Sequence, residues 1–431
     1  MNAHRTLTPP RTAVRRLAAA RIISITGGAA SYVALNYTVF EKTESAAWVA
    51  AALLLTFGVT GFVGPITGVL GDRYDRRIVL IVSDLAGAFA FGMMALGEDP
   101  AWLLFWAFLS AVAEAPFWSA SEAAIPNVAG MEHLSWANSL LGISRSAGVT
   151  IGPAIGGLLV AGIGSRAVFA ANAVSFVISA VIVWSVRARF NATEDHERGA
   201  GGLRAGFVFL LRERVLRTLL LAWVVFIMGM GMAMVADVPL TEDFGMGAFG
   251  YGMLITAWGG GSVLGSWLGR YMKPGKEGTW LVWACVVIAV MGIGIWLSPS
   301  FTLIVAMLLV FGLADGTTFV ADQNLRQRRT PDAIRSRVTA AFVGALHALL
   351  AISYVAAAVV VPLIGAQPTY GIGGITAGLA VFVLIRMRRY LRRSEAEAGP
   401  EVAPAAIGVG EEPAPVPADG VVAEATLEPT P

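Results

Sequence analysis

Charged residues in this chain are spaced too widely for a water-soluble fold. Between Arg21 and Glu41 lie 19 uncharged residues, between Glu44 and Asp72 27, between Arg166 and Arg187 20, between Arg217 and Asp237 19, and between Asp243 and Arg270 26. A helix needs about 20 mainly apolar residues to cross a bilayer core. In hydrocarbon the backbone must satisfy its own hydrogen bonds, so each stretch predicts a spanning helix. Two longer stretches, Glu277 to Asp315 and Arg337 to Arg386, hold a helical hairpin each, broken at Ser298-Pro299-Ser300 and at Gly365-Ala366-Gln367-Pro368. Stretches interrupted by isolated charges (Asp84; Glu114 and Glu122; Arg145) complete a set of twelve.

The predicted spans are 18–40, 46–70, 77–97, 101–124, 136–163, 167–187, 217–239, 247–270, 279–297, 301–323, 336–364 and 369–388. Composition agrees: 56% of the 431 residues are hydrophobic and 14% charged, against roughly 25% charged in a soluble domain. The fold class expected is therefore an all-α polytopic membrane protein. Cys285 is the single cysteine and lies in an apolar span, which excludes a disulfide framework and a cysteine metal site.

Of the 31 Lys and Arg, all but Lys42, Arg145 and Arg166 fall on one side of a twelve-span topology. Basic loops stay cytoplasmic, so both termini are expected inside, in a cell inner (plasma) membrane. Arg5, Arg11, Arg15, Arg16 and Arg21 could imitate the basic end of a signal peptide, but a full-length span follows, and a retained first helix is expected. The net charge of +2 carries no nucleic-acid signal, because topology and anionic lipid account for the basic residues.

The chain also repeats itself. Gly64, Gly68 and Gly71 before Asp72-Arg73 correspond to Gly261, Gly265 and Gly269 before Arg270; Ala113-Glu114, Trp118 and Glu122 correspond to Ala314-Asp315, Phe319 and Asp322. Two parallel six-helix halves result. The expected organisation is a cytoplasmic N-terminal segment (1–17), a first bundle (18–190), a cytoplasmic linker (191–214), a second bundle (215–393) and a disordered acidic tail (394–431) rich in Pro, Ala and Glu.

Gly68-Val69-Leu70-Gly71-Asp72-Arg73-Tyr74-Asp75-Arg76-Arg77 lies between the second and third spans: a Gly, then Asp-Arg, then a basic pair. With the paired halves and long middle connector, it resembles the signature loop of the major facilitator superfamily, Asp75 standing where a Gly is usual. Asp-Arg-Arg here is similar to the drug, macrolide and enterobactin exporter branch. Gly148-Val149-Thr150-Ile151-Gly152-Pro153-Ala154-Ile155-Gly156-Gly157 resembles the antiporter motif of the superfamily's exporters. The resemblance spans about residues 14–390 and implies twelve helices in two pseudo-symmetric bundles, a central cavity lined by helices 1, 4, 7 and 10, and export. The Arg that many proton-coupled drug exporters carry in the fourth span is missing.

The residues have their own physical reading. Asp72, beside Gly68 and Gly71, can bridge to the positive N-terminal end of the eleventh helix at Thr330-Pro331-Asp332 and hold a cytoplasmic gate. Arg73, Arg76 and Arg77 can pair with Glu132, Asp332 or lipid phosphate; the plainer alternative is that all are topology charges. Gly148, Gly152, Gly156 and Gly157 strip side chains from one face so that a neighbour can approach closely, and Pro153 bends the helix. The resemblance implies contact with the opposite half; ordinary small-residue packing is the alternative.

Charges inside a membrane are costly and mark functional sites by default. Glu114 and Asp315 lie roughly midplane at matching places in the two halves, and Asp237 lies nearer the outer mouth. Carboxyls facing one low-dielectric cavity could exchange protons, and these three are the proton-coupling candidates. A structural pair with Arg145, or a hydrogen bond to Thr317 or Thr318, is the alternative. Asp84 is expected to face Arg145 or the gate, and His347 to be packed or hydrogen-bonded. Tyr32, Asn36, Phe117, Trp118, Trp223, Met230 and Phe319 are the cavity candidates for a bulky substrate, with helix packing as the alternative for each.

No Walker loop, Ser-His-Asp set, dinucleotide fingerprint or metal-ligand spacing occurs in the sequence. The expectation is a transporter and not an enzyme, without metal or organic cofactor, functional as a monomer in the bilayer. Its partners would be a small-molecule substrate and protons, the proton gradient driving efflux of a drug-like or other amphipathic molecule by alternating access. A siderophore or natural-product exporter, nutrient uptake or uniport, and a non-transporting scaffold or sensor are the alternatives.

Overall fold

The computed structural model describes residues 8–58, 74–191, 203–273, 275–331 and 334–397. Gly68, Gly71, Asp72, Arg73, Asp332 and the tail beyond residue 397 lie outside them.

The described chain is helical throughout. In the first half run α1 (Pro10–Thr43), α2 (Ala46–Leu53, continued by a π turn to Gly58), α3 (Arg76–Leu96), α4 (Pro100–Ala129), α5 (Leu134–Ile163) and α6 (Ser165–Ser185). A ten-residue helix, α7 (Leu203–Arg212), follows in the connector. The second half holds α8 (Arg214–Asp243), α9 (Gly247–Leu268), α10 (Glu277–Trp296), α11 (Phe301–Arg329), α12 (Arg335–Ile364) and α13 (Ala366–Glu397). Among the described residues, ten helices are long and apolar enough to cross a membrane. α2, described only to Gly58, and α9, a glycine-rich helix of 22 residues, stand at the second and eighth predicted spans.

Local chemistry sets the ends. Pro10 opens α1, where its missing N–H costs nothing. Asp99 caps α4 by accepting from Trp102 N at 3.0 Å. Glu44 turns left-handed (φ 50°) to end α1, its N–H bonded to the Phe40 carbonyl.

Two predicted boundaries move. α1 begins at Pro10, within the segment expected to be a cytoplasmic extension, so Arg21 is a helix-interior residue and is buried. The expected linker contains α7, whose Leu203, Phe207, Leu210 and Leu211 recur at helical spacing; Leu210 is buried, while Phe207 and Leu211 are exposed.

The halves repeat their packing. α1 packs on α5 as α8 packs on α12, and α3 packs on α6. The second helix of each half meets the fifth of the other, α2 on α12 and α9 on α5. One apolar core draws together Ala46, Val49 and Leu53 of α2 with Val235, Leu240, Tyr354, Val361 and Tyr370 of the second half. These residues lie toward the bundle end that carries the 43–46, 243–247 and 364–366 turns, called here the far end; the basic end carries the arginine clusters. At the far end both exceptional cations are neutralised by one carboxylate: Glu98 takes Lys42 Nζ at 2.9 Å and Arg166 Nε at 3.1 Å. The Lys42 hydrogen bond, reinforced by Arg166, holds the Glu98 carboxyl below the ordinary glutamate range.

Candidate transport site

Glu114 does not stand alone. A small cavity in the first half is lined by Arg21 and Ser24 of α1, Ser83 and Asp84 of α3, Glu114, Phe117 and Trp118 of α4, and Phe176 of α6. Asp84 is 1% exposed and accepts from the Ser179 hydroxyl of α6 at 2.8 Å. It therefore faces Ser179 and the cavity, where Arg145 or the gate was expected. Glu114 is half-buried and within electrostatic reach of Asp84. The Arg21 guanidinium stands 5.4 Å from the Trp118 ring centroid and that of Arg145 5.6 Å, so two cations from α1 and α5 flank one indole.

Asp315 has its partners in its own half. It lies against Trp258 of α9, its hydrogen-bond partner, with Cys285 of α10 close by. The expected hydroxyl partners are engaged elsewhere: Thr317 bonds the Leu313 carbonyl at 2.8 Å and Thr318 the Ala314 carbonyl at 2.8 Å. Two turns toward the basic end, Asp322 accepts from Trp223 Nε1 at 2.9 Å and from Arg326 at 2.7 and 2.8 Å, a buried ion pair.

Asp237 sits near the far end of α8 and is buried. Tyr370 of α13 donates to it, and Tyr32, Tyr251 and Tyr354 lie within electrostatic reach. Tyr32 comes from the first half and the other three from the second; its ring centroid is 6.2 Å from that of Tyr251. A carboxyl dressed by phenols thus links the halves at the far end.

The glycine motif serves two neighbours. A Cβ at Gly148 would stand 2.7 Å from Ile25, one at Gly152 2.6 Å from Ala29, and one at Gly156 2.6 Å from the Ala30 carbonyl, so these three seat α5 on α1. Gly157, unlike the other three glycines of the motif, packs across to the other half: its Cβ would stand 2.7 Å from the Ala248 carbonyl of α9, and Gly252 would likewise meet the Pro153 carbonyl at 2.7 Å. At Gly259, two turns toward the basic end, the gap to Thr150 has grown to 3.7 Å. The seam between the halves is tightest near the far end.

Arg76 bonds the Phe190 carbonyl at 3.3 Å, and Arg77 the Trp184 carbonyl, at the C-terminal end of α6. A helix C-terminus attracts cations through its unpaired carbonyls, which suits Arg77 at the end of α6.

Among the cavity candidates, Tyr32 packs edge-on to Phe57 at 5.6 Å, and Asn36 is buried with its amide nitrogen on the Tyr32 carbonyl at 2.8 Å. Phe117 and Trp118 line the cavity, Trp223 is committed to Asp322, Met230 is half-buried and Phe319 is exposed. His347 bonds within its own helix, to the Val343 carbonyl at 2.9 Å. Sequence reasoning named no site role for Arg21, Tyr251, Tyr354, Tyr370 or Trp258. The intramembrane charge of Arg21 was the one available signal.

Known proteins share this architecture. The nucleoside transporter NupG superposes with a TM-score of 0.71 at 13% identity, over 88% of this chain and 99% of that one. A bacterial homologue of the iron transporter ferroportin, in an inward-facing state, superposes at 0.70 and 14%, over 88% and 100%. In sequence, the enterobactin exporter EntS of Escherichia coli is 27% identical over 406 residues, 88% of this chain and 93% of that protein. The uncharacterized MFS-type transporter YfiS of Bacillus subtilis is 26% identical over 366 residues, 79% and 86%. The family model for the Major Facilitator Superfamily matches residues 17–353. Twelve helices in two packed repeats, intramembrane carboxyls and this match across most of the sequence lead to one conclusion: the chain is a membrane transporter belonging to the Major Facilitator Superfamily.

Proposed function

We propose that this transporter exports an amphipathic small molecule in exchange for protons, the halves rocking about the Gly157–Gly252 seam. The observation that carries the reading is the set of carboxyls held inside the bundle, Glu114, Asp237 and Asp315, each on a helix that the resemblance places at the central cavity. Such groups are expensive in a bilayer unless they bind or relay ions. The basic end is assigned to the cytoplasm from the lysine and arginine distribution, with both termini inside and the monomer as the working unit. A seam tightest at the far end then describes a transporter closed toward the outside.

A siderophore or related natural product as cargo is the second reading, favoured by the match to proteins named enterobactin exporters over 88% of the chain. Everted membrane vesicles containing the protein, given a panel of dyes, antibiotics and siderophores, test both. Cargo should accumulate in energised vesicles and be lost on adding an uncoupler. Flux indifferent to the uncoupler supports uniport, and no flux for any compound supports a scaffold; either overturns the reading.

A further inference from the structure

Proton exchange needs a place where a proton is held out of contact with bulk water yet reachable from it. The first-half cavity has that construction. Asp84 Oδ2 accepts from Ser179 at 2.8 Å, but Oδ1 is buried without a hydrogen-bond partner among the described residues. Ser179 lies on the α6 side of Asp84, while Asp84 itself lines the cavity that Glu114 enters from α4. An orphaned carboxyl oxygen in an apolar interior is unfavourable unless it carries or shares a proton.

We propose that Asp84 and Glu114 form a single protonation site in the first half, one proton shared between the two carboxyls, with Ser179 as a positioning residue that fixes Asp84. This rests on the proton-coupled reading and locates its first-half site. The proton enters from cavity water onto the half-buried Glu114, is held as an O–H···O bond toward Asp84, and leaves by the same carboxyl; no other bond changes. Asp84 has no exposed face of its own, so Glu114 is the port and Asp84 the inner acceptor.

The groups around the pair supply too few ligands for a metal ion. α1 contributes Arg21, whose positive charge offsets the one negative charge that a single shared proton leaves on the two carboxyls, along with the Ser24 hydroxyl; α6 contributes Ser179 and Phe176; Arg145 of α5 is held over Trp118. A hard cation would demand six or so oxygen ligands, and no group of three or more His, Cys, Asp or Glu able to hold a metal occurs among the described residues. The site is also asymmetric. Asp315, the matching acid of the second half, faces Trp258 and Cys285, so the repeat conserves the position of the acid but not its company.

The test is infrared difference spectroscopy of the full-length protein in liposomes, reading the protonated-carboxyl stretch between acid and alkaline pH for wild type, Asp84→Asn, Glu114→Gln and the double variant. A shared proton predicts one band in wild type, which either single variant replaces with the band of the remaining lone carboxyl at a different frequency, and no band from this site in the double variant. Ser179→Ala should shift the band without abolishing it, and Glu114→Asp should restore it. Bands falling by half in each single variant, additively, would show two independent acids and overturn the proposal, as would a band untouched by both. Should Asp84→Asn prove unstable, Glu114→Gln against Glu114→Asp still decides whether the band belongs to this site. The measurement needs no cargo, so a band that behaves as expected alongside uncoupler-insensitive transport would sink the coupling reading and leave the site standing. A replacement of the proton by sodium, seen as a band that vanishes on adding sodium at fixed pH, would overturn the choice of ion.

Discussion

Gly157 of α5 and Gly252 of α9 stand backbone to backbone across the two halves: a Cβ built on either would come 3.0 Å from the Cα of the other. Side-chain-free faces let helices pack this closely in lipid, where there is no hydrophobic force to draw them together. If the halves separate here during the cycle, the contact must be close enough to shut and weak enough to open. Gly157→Val should therefore prop the seam apart, lowering stability by about 1–3 kcal/mol, the usual cost of overpacking, and reducing transport to background. Gly162→Ala, on the same helix with nothing within 4 Å, should leave both unchanged. Thermal unfolding in detergent followed by vesicle transport checks the pair.

Tyr370 and Asp237 make a second cross-check. Tyr370→Phe removes the hydroxyl that donates to the buried Asp237 carboxyl, and stability should fall by about 1–3 kcal/mol, the cost of leaving a buried acceptor unpaired. Tyr37→Phe, on a half-buried ring, should cost less than half as much. Equal melting temperatures for wild type and Tyr370→Phe would show that this hydrogen bond adds nothing to stability.

Asp322 and Arg326 are buried together, with the guanidinium also 4.6 Å from the Phe342 ring centroid. Removing one member of a buried pair leaves the other's charge uncompensated. Asp322→Ala should thus destabilise by about 3–5 kcal/mol, and the double variant Asp322→Ala with Arg326→Met should recover much of the loss, because it buries neither charge. A double-mutant cycle by thermal unfolding measures the coupling.

Glu98 gives a pH dependence of known sign. Its carboxyl is held below the ordinary glutamate range by Lys42 first and Arg166 second. A folded value below the unfolded one, about 4.3, means that the pair stabilises above that pH and that the contribution is lost as acid carries the site through its folded value. Wild type should accordingly melt slightly above Glu98→Gln at pH 7. The difference should shrink in high salt and vanish in strong acid, as expected of exposed ions. A difference that grows in acid would contradict the assignment.

The spans were legible because charge is excluded from lipid and its spacing is written directly in the sequence. Arg16, Arg76 and Arg77 at the basic end, and Lys42 and Arg166 at the far end, fall where the count placed them. The start of the first helix was read at residue 18 where α1 begins at Pro10: Pro10 favours helix initiation, but the basic run after it reads as a polar extension. α7 was missed because a ten-residue amphipathic helix is far shorter than a span, although Leu203, Phe207, Leu210 and Leu211 carried the pattern. The partners of the acids were not legible. The repeat offset gives the depth of Glu114 and Asp315, whereas their neighbours depend on helix rotation, which is set by packing against α3 and α6 in one case and α9 and α10 in the other. The tyrosines around Asp237 come from four helices, α1, α9, α12 and α13, and no local pattern announces that convergence.

Proteoliposomes loaded with a pH-reporting dye read coupling most directly. With a cargo identified in the vesicle panel, wild type should move protons against cargo, and Glu114→Gln and Asp315→Asn should each abolish or sharply reduce that proton signal while the folded protein still exchanges cargo for cargo. Cargo movement by wild type with no accompanying proton movement, or full proton movement in both variants, would contradict proton-driven export through these carboxyls.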